Sequence, residues 1–152
     1  MKTRHILIIA LCLFYTNAGF AQSKLFDKYA DMDNVTSVFI SKAMFQMMPK
    51  IEKVGINMVN LKGKIESLQL VSSENKDKMT QMKKDFAQLV TSKHQELMRV
   101  KEGKSRVNFY SDMQGDKIKE LIMLVDDDDN YTAILLVGNF TLKDIQEIVK
   151  QE

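Results

Sequence analysis

From residue 94 to residue 140, apolar and polar side chains alternate in four runs separated by connections of only a few residues. QELMRV (95–100), SRVNFYSDM (105–113), KIKELIMLV (117–125) and YTAILLVGNF (131–140) are joined by EGKS, QGD and DDDDN. A period of two sends successive side chains to opposite faces of an extended strand. Connections this short cannot return the chain to start a parallel neighbour, so each strand must run antiparallel to the next. The pattern predicts a four-strand meander. Within it, Leu121 to Val125 and Ala133 to Val137 are apolar without interruption. That places the third and fourth strands centrally, covered on both faces.

Upstream, the periodicity is mixed. Leu25, Phe26, Tyr29 and Ala30 fall at helical spacing in Ser23–Asp33, which predicts a short amphipathic helix. Asn34–Ser41, NVTSVFIS, is rich in β-branched residues, with Val38 and Ile40 alternating, and predicts a strand. Lys42–Met48 reads as a helix ended by Pro49, the only proline, and Ile51–Gly63 is ambiguous between its two glycines. Ile65–Ser72 predicts a second strand with Leu68 and Leu70 on one side. Ser73 is expected to cap a long helix whose stripe is Met79, Met82, Phe86, Leu89 and Val90, with lysines opposite. The chain closes with a helix signalled by Thr141 as N-cap and Asp144 three residues on. Phe140 and Ile145 are placed to form a hydrophobic staple, and Ile145, Ile148 and Val149 to face the sheet. With no repeat or linker, residues 22–152 read as a single α+β domain, its antiparallel sheet carrying helices mainly on one face.

Residues 1–21 read differently. A basic start with Lys2, Arg4 and His5, an apolar run from Ile6 to Tyr15, and Gly19 and Ala21 at the small-residue positions predict a signal peptide cleaved after Ala21. The run is too short for a permanent membrane span, which needs about 20 apolar residues. Acylation at Cys12 is disfavoured because Leu11 stands where a small residue should precede it. Removing the leader removes the single cysteine, so the expected mature chain uses neither disulfides nor thiol chemistry. It also removes Lys2 and Arg4 from 22 basic residues, leaving 20 against 20 acidic ones. A balanced charge disfavours nucleic acid as a partner.

Each candidate for chemistry has a structural counter-reading. Asp126, Asp128 and Asn130 occupy the first, third and fifth positions of a calcium loop, but Tyr131 stands where its glycine belongs and Val137 where its bidentate glutamate belongs. Asp and Asn suit a tight hairpin, and like charges oppose edge association, so DDDDN reads as a turn. Met44, Met47 and Met48 are soft ligands that could hold Cu(I), yet Met44 and Met48 are four apart on the face a core would cover, and read as core filler. His94 has no nucleophile or carboxylate beside it at a recognisable spacing; Ser92 is two residues away. The six glycines are scattered singly and form no phosphate loop. Asn34, Asn130 and Asn139 head N-x-Thr triplets of the sort that arise by chance. These readings leave no catalytic residue, metal or cofactor assigned.

Taken together, LFDKYADMDNVTSVFISKAM (25–44), IESLQLVSSEN, ELMRVKEG and KIKELIMLVDDDDNYTAILLVGNFTLKDIQEI resemble the domain of unknown function 4252 family. The resemblance spans about residues 25–149, with VTSVFISK, LMRVK and GNFTLKDI as its more specific segments. It implies a small exported protein of the Gram-negative envelope, from Bacteroidetes, with an antiparallel α+β fold. It supplies no catalytic residues. Relatives often lie in operons with extracytoplasmic-function sigma factors, which implies a link to envelope regulation.

The resulting expectation is a noncatalytic periplasmic module that binds an envelope protein or component. Arg99, Arg106, Asn108 and Tyr110 form the expected contact face, provided that Val107 and Phe109 face the core. The alternatives are a carrier of a small apolar ligand between helix and sheet, an enzyme built on paired carboxylates, and weak cation binding at the aspartates.

Overall fold

The computed structural model describes residues 20–47 and 63–149. The elements run α1 (Phe20–Ala30), β1 (Thr36–Ser41), α2 (Lys42–Met47), β2 (Ile65–Ser73), α3 (Lys76–Ala87), β3 (His94–Glu102), β4 (Ser105–Gln114), β5 (Lys117–Asp126), β6 (Tyr131–Thr141) and α4 (Leu142–Val149). All strands join one six-stranded antiparallel sheet in the order β1-β2-β6-β5-β4-β3. The meander is present as predicted, in an α+β fold dominated by strands. Gly103 (φ 58°) and Gly115 (φ 65°) supply the left-handed residues its two tight hairpins need.

Cross-strand partners point to the same side, so the register divides the sheet into two faces. On the helix face, Phe26 and Tyr29 from α1, and Met79, Met82 and Phe86 from α3, pack on Val71, Ile122, Tyr131, Ala133 and Leu135. Phe86 lies edge-on to Phe26, with ring centroids 4.9 Å apart, and 5.2 Å from Tyr29. Tyr29 also donates a 2.8 Å hydrogen bond to Asp85, tying α1 to α3. On the other face, Phe45 from α2 joins Ile65, Leu68, Ile118, Leu136 and Phe140 in a smaller cluster. The two longest helices thus share one face.

Several local expectations shift. The first helix ends at Ala30 instead of Asp33, because Asn34 adopts φ 62° to turn the chain into β1. Ser73 is not the helix cap: it sits in the ladder opposite Tyr131, and its hydroxyl donates to the Asn34 carbonyl. Asn75 caps α3 instead, extended at φ −76°, ψ 121° and accepting from the Lys78 N–H. At α4 the cap is as predicted. The Asp144 N–H donates to Thr141 Oγ1 at 3.2 Å, and the Thr141 N–H donates to the Asp144 carboxylate at 2.7 Å. The side chains of Ile145, Ile148 and Val149, and with them the staple, lie outside the described residues, as do the leader up to Gly19, Pro49 and Ile51–Lys62. The two central strands are less completely covered than expected: β6 is buried on both sides at Leu135 and Leu136, whereas β5 is buried at alternate residues through Ile122 and half-buried beyond it.

Candidate functional site

Among the described residues, the β3–β5 part of the face opposite α1 and α3 is the feature that packing leaves unfinished. Its register aligns Met98 with Phe109 and Met123, and Val100 with Val107 and Val125, in two rows across β3, β4 and β5. Met98 is 46% exposed and Val100 44%, and the other four are half-buried. None of the six belongs to either core cluster. Contiguous apolar surface of this kind on a folded domain is a candidate contact surface. The polar ends of the strands frame it. Lys101, Lys104 and Arg106 lie at the β3–β4 hairpin, and the four aspartates at the β5–β6 turn.

Those aspartates form the predicted connection. The Asp127 N–H donates to the Asn130 carbonyl at 2.9 Å, and the Asp128 N–H to the Asp127 carboxylate at 2.8 Å. Their remaining oxygens meet lysines: Lys83 at Asp126 (2.6 Å), Lys104 at Asp128 (3.1 Å) and Lys76 at Asp129 (3.3 Å). Exposed pairs of this type contribute little each. Spread outward to different lysines, the carboxylates do not converge on a point. Among the described residues no group of three or more His, Cys, Asp or Glu side chains is arranged to hold a metal ion.

The residues expected to make the contact face do lie together, but beside the helices. Arg99 is the cross-strand partner of Asn108, and Arg106, Asn108 and Tyr110 alternate along β4 on the helix face. Tyr110 packs against the main core and is not directed outward, while Val107 and Phe109, expected to face that core, lie on the open face. The apolar stripe of β4 was legible in the sequence; which face the helices would cover was not. Arg99 is held by Glu96 at 2.6 Å, and its guanidinium is made still more basic by that hydrogen bond. Met44, expected with Met48 on the covered face, is also displaced. Phe45 is the buried residue of α2, Met44 and Met47 are exposed, Met47 at 77%, and Met48 lies outside the described residues.

His94 has the carboxylate neighbour that its sequence surroundings did not reveal. Glu120, 26 residues away on β5, places Oε1 3.0 Å from His94 Nε2. The Thr91 N–H donates to Nδ1 at 3.0 Å, with the Thr91 hydroxyl 3.2 Å away. A main-chain donor at Nδ1 puts the imidazole proton on Nε2, which therefore donates to Glu120. Thr91, His94 and Glu120 have the connectivity of a nucleophile, base and acid, but Nδ1 has committed its lone pair to the main chain. A general base needs that pair free. The imidazole is fully buried, and Lys93 bridges Glu120 (3.6 Å) to Asp112 (3.3 Å), its cross-strand partner. This paired-carboxylate arrangement closes one end of the meander as a polar network, buried at His94 and Glu120 and open to solvent at Lys93.

The space between α1 and the sheet, lined by Phe26, Ala30, Ser37, Phe39 and Leu70, has a volume of about 50 Å³. Small-molecule pockets measure about 300–1,000 Å³. No described helix is long and apolar enough to cross a membrane. No curated protein and no solved structure matches the chain. All six strands, with α2 and α3, fall within residues 29–148, which match the model of a family described as a domain of unknown function (DUF4252). The open apolar rows, the capped helices and the meander are therefore features of a DUF4252 family member.

Proposed function

We propose that this protein is a noncatalytic binding module of the cell envelope, and that Met98, Val100, Val107, Phe109, Met123 and Val125 dock an apolar surface of a second envelope protein. The observation that carries the reading is the pair of apolar rows that neither core absorbs. Methionine at two of the six positions gives the surface side chains that adapt to a partner's shape. The rim selects protein over lipid: four aspartates beside Val125 would meet the negative potential of an anionic bilayer, whereas a protein interface accommodates a polar rim of both signs. The leader-like N-terminus supports the envelope as the compartment. The space beneath α1 is small, and the larger cleft of about 530 Å³ at residues 34–36 and 72–75 is lined mostly by polar side chains such as Asn34, Ser72 and Glu74, which favours this reading over an apolar-ligand carrier.

The test is photo-crosslinking in intact cells, with the crosslinking amino acid placed at Phe109 on the open face or at Asn108 on the helix face. The reading requires an adduct that forms from position 109, does not form from position 108, and is lost when Met98→Lys and Val100→Lys are added. Equal adducts from both positions, or an adduct unaffected by the lysines, overturn it. Both lysines replace exposed side chains, so the fold is expected to lose no more than about 1 kcal/mol.

A further inference from the structure

The two edges of the sheet are built in opposite ways. β3, HQELMRVKE, carries Glu96, Arg99, Lys101 and Glu102, and charges on an edge strand oppose pairing with another chain. β1, TSVFIS, carries none, and presents Phe39 at 66% exposure and Val38 at 39%. Among the described residues no strand pairs with its outer side. An uncharged edge offering unpaired main-chain groups and an exposed aromatic is a template for strand addition.

The sequence of β1 names the strand that fits. A two-fold axis perpendicular to the sheet pairs a strand with its own copy antiparallel and keeps equivalent faces on the same side, which requires the axis to pass through a residue. Centred on Phe39, it sets Phe39 opposite Phe39, Val38 opposite Ile40 and Ser37 opposite Ser41. Every pair from Ser37 to Ser41 then matches in character, with Thr36 meeting Lys42 beyond them: aromatic with aromatic between the two α1 helices, β-branched with β-branched on the open face, and hydroxyl with hydroxyl. Shifting the axis by one residue to Val38 sets Ser37 against Phe39 and Thr36 against Ile40, and the match is lost. Lys42, the nearest charge, is held by Glu66 of its own chain at 2.6 Å.

We infer that β1 is the dimerisation edge of this protein, pairing with β1 of a second copy about a two-fold axis at Phe39. A six-residue edge buries less than the roughly 1,200–2,000 Å² of a standard interface, so the dimer belongs to the weak, concentration-dependent class. Its geometry joins two six-stranded sheets into one continuous sheet, with both open faces on the same side. The consequence for binding rests on the function proposed above: two Met98–Phe109–Met123 patches, separated by nine strand spacings or about 43 Å along an untwisted sheet, would engage one partner surface bivalently.

Register-specific crosslinking of the full chain tests the dimer. In a Cys12→Ser background, Phe39→Cys places two thiols across the axis, where the Cα separation of about 4.5–5.5 Å lies within disulfide range. Ser37→Cys places them several residues apart along the strands. Mild oxidation is expected to link Phe39→Cys, and a mixture of Ser37→Cys with Ser41→Cys, but not Ser37→Cys alone. Sedimentation velocity should show the unmodified chain shifting from monomer to dimer with concentration, and Phe39→Lys remaining monomeric with unchanged circular dichroism. A monomer at every concentration, or equal crosslinking from positions 37 and 39, overturns the inference. The Met98→Lys, Val100→Lys variant separates the two readings, since it is expected to abolish the partner adduct and leave the dimer intact.

Discussion

Gly138→Ala is expected to be among the most damaging single-methyl additions to this fold. Gly138 lies where β6 meets the irregular start of β2, and its backbone is not left-handed; space is what the position lacks. A Cβ there would stand 2.3 Å from the Lys64 carbonyl oxygen, 3.1 Å from the Ile65 Cα and 3.1 Å from the Phe140 ring. Real Cβ atoms do not approach within 3.0 Å, so backbone must yield by at least the 0.7 Å difference. The same carbonyl accepts the Asn139 N–H at 2.7 Å, and Lys64 carries the ion pair to Asp144 that anchors the α4 cap. Overpacking costs about 1–3 kcal/mol, and loss of a main-chain hydrogen bond between residues as exposed as Lys64 and Asn139 about 0.5–1.5 kcal/mol. The sum, about 1.5–4.5 kcal/mol, is a large share of the 5–15 kcal/mol typical of a domain. Urea unfolding followed by circular dichroism should show the midpoint falling by about 1–3 M with the slope preserved. Gly115→Ala is the control, since its Cβ would enter open space and the cost, about 1–2 kcal/mol, comes from its left-handed backbone. If Gly138→Ala proves no more destabilising than Gly115→Ala, the close approach of β2 to β6 is wrong.

Two further outcomes follow from particular polar groups. Ser111 Oγ is fully buried, opposite Leu121 and Gln95, without a hydrogen-bond partner among the described residues. Ser111→Ala should therefore raise stability by about 1 kcal/mol, and a fall of that size in thermal or urea unfolding would mean that the hydroxyl is satisfied. At Asp144, burial pushes the carboxyl up, but the Lys64 ammonium and the Thr141 N–H and hydroxyl outweigh it and hold the carboxyl below its ordinary value of 3.8. At Asp85, the Tyr29 hydroxyl acts first, against burial and with Lys28, and the carboxyl is again held down. A depressed carboxyl contributes stability that is fully present above the unfolded-state value near 4 and is lost as pH falls through the folded value. Asp144→Asn should cost about 1–2 kcal/mol at neutral pH through the cap, and flatten the acid limb of stability measured from pH 5 downward. An acid limb as steep as that of the unmodified protein would remove Asp144 from the account.

The strands of the meander were legible because a period of two depends only on neighbours in sequence, and because turns as short as QGD leave one way to join strands. The Thr141 cap was legible for the same reason, since its box closes over three residues. Asn75 shows the limit of local reading. Ser73 and Asn75 are both acceptable caps, and the choice fell to Asn75 once Ser73 was drawn into the ladder opposite Tyr131 and its hydroxyl turned to Asn34. Composition also could not reveal that β2 would lie between β1 and β6, or that Glu120 would find His94, because those contacts form between residues distant in the chain.

What the amino-acid order determined by itself is that β4 has an apolar side and a polar side, with Val107 and Phe109 on the first and Arg106 and Asn108 on the second. What only the tertiary structure decided is which side would be covered. Phe26, Tyr29, Met79, Met82 and Phe86 dock where Tyr110, Ile122, Leu124 and Ala133 share a face, on the same side as Arg106 and Asn108, so the apolar side of β4 is left at the open surface. The physical reason is that alternation specifies two faces equally well, whereas the helices select the one whose residues across the central strands fill the space beneath them.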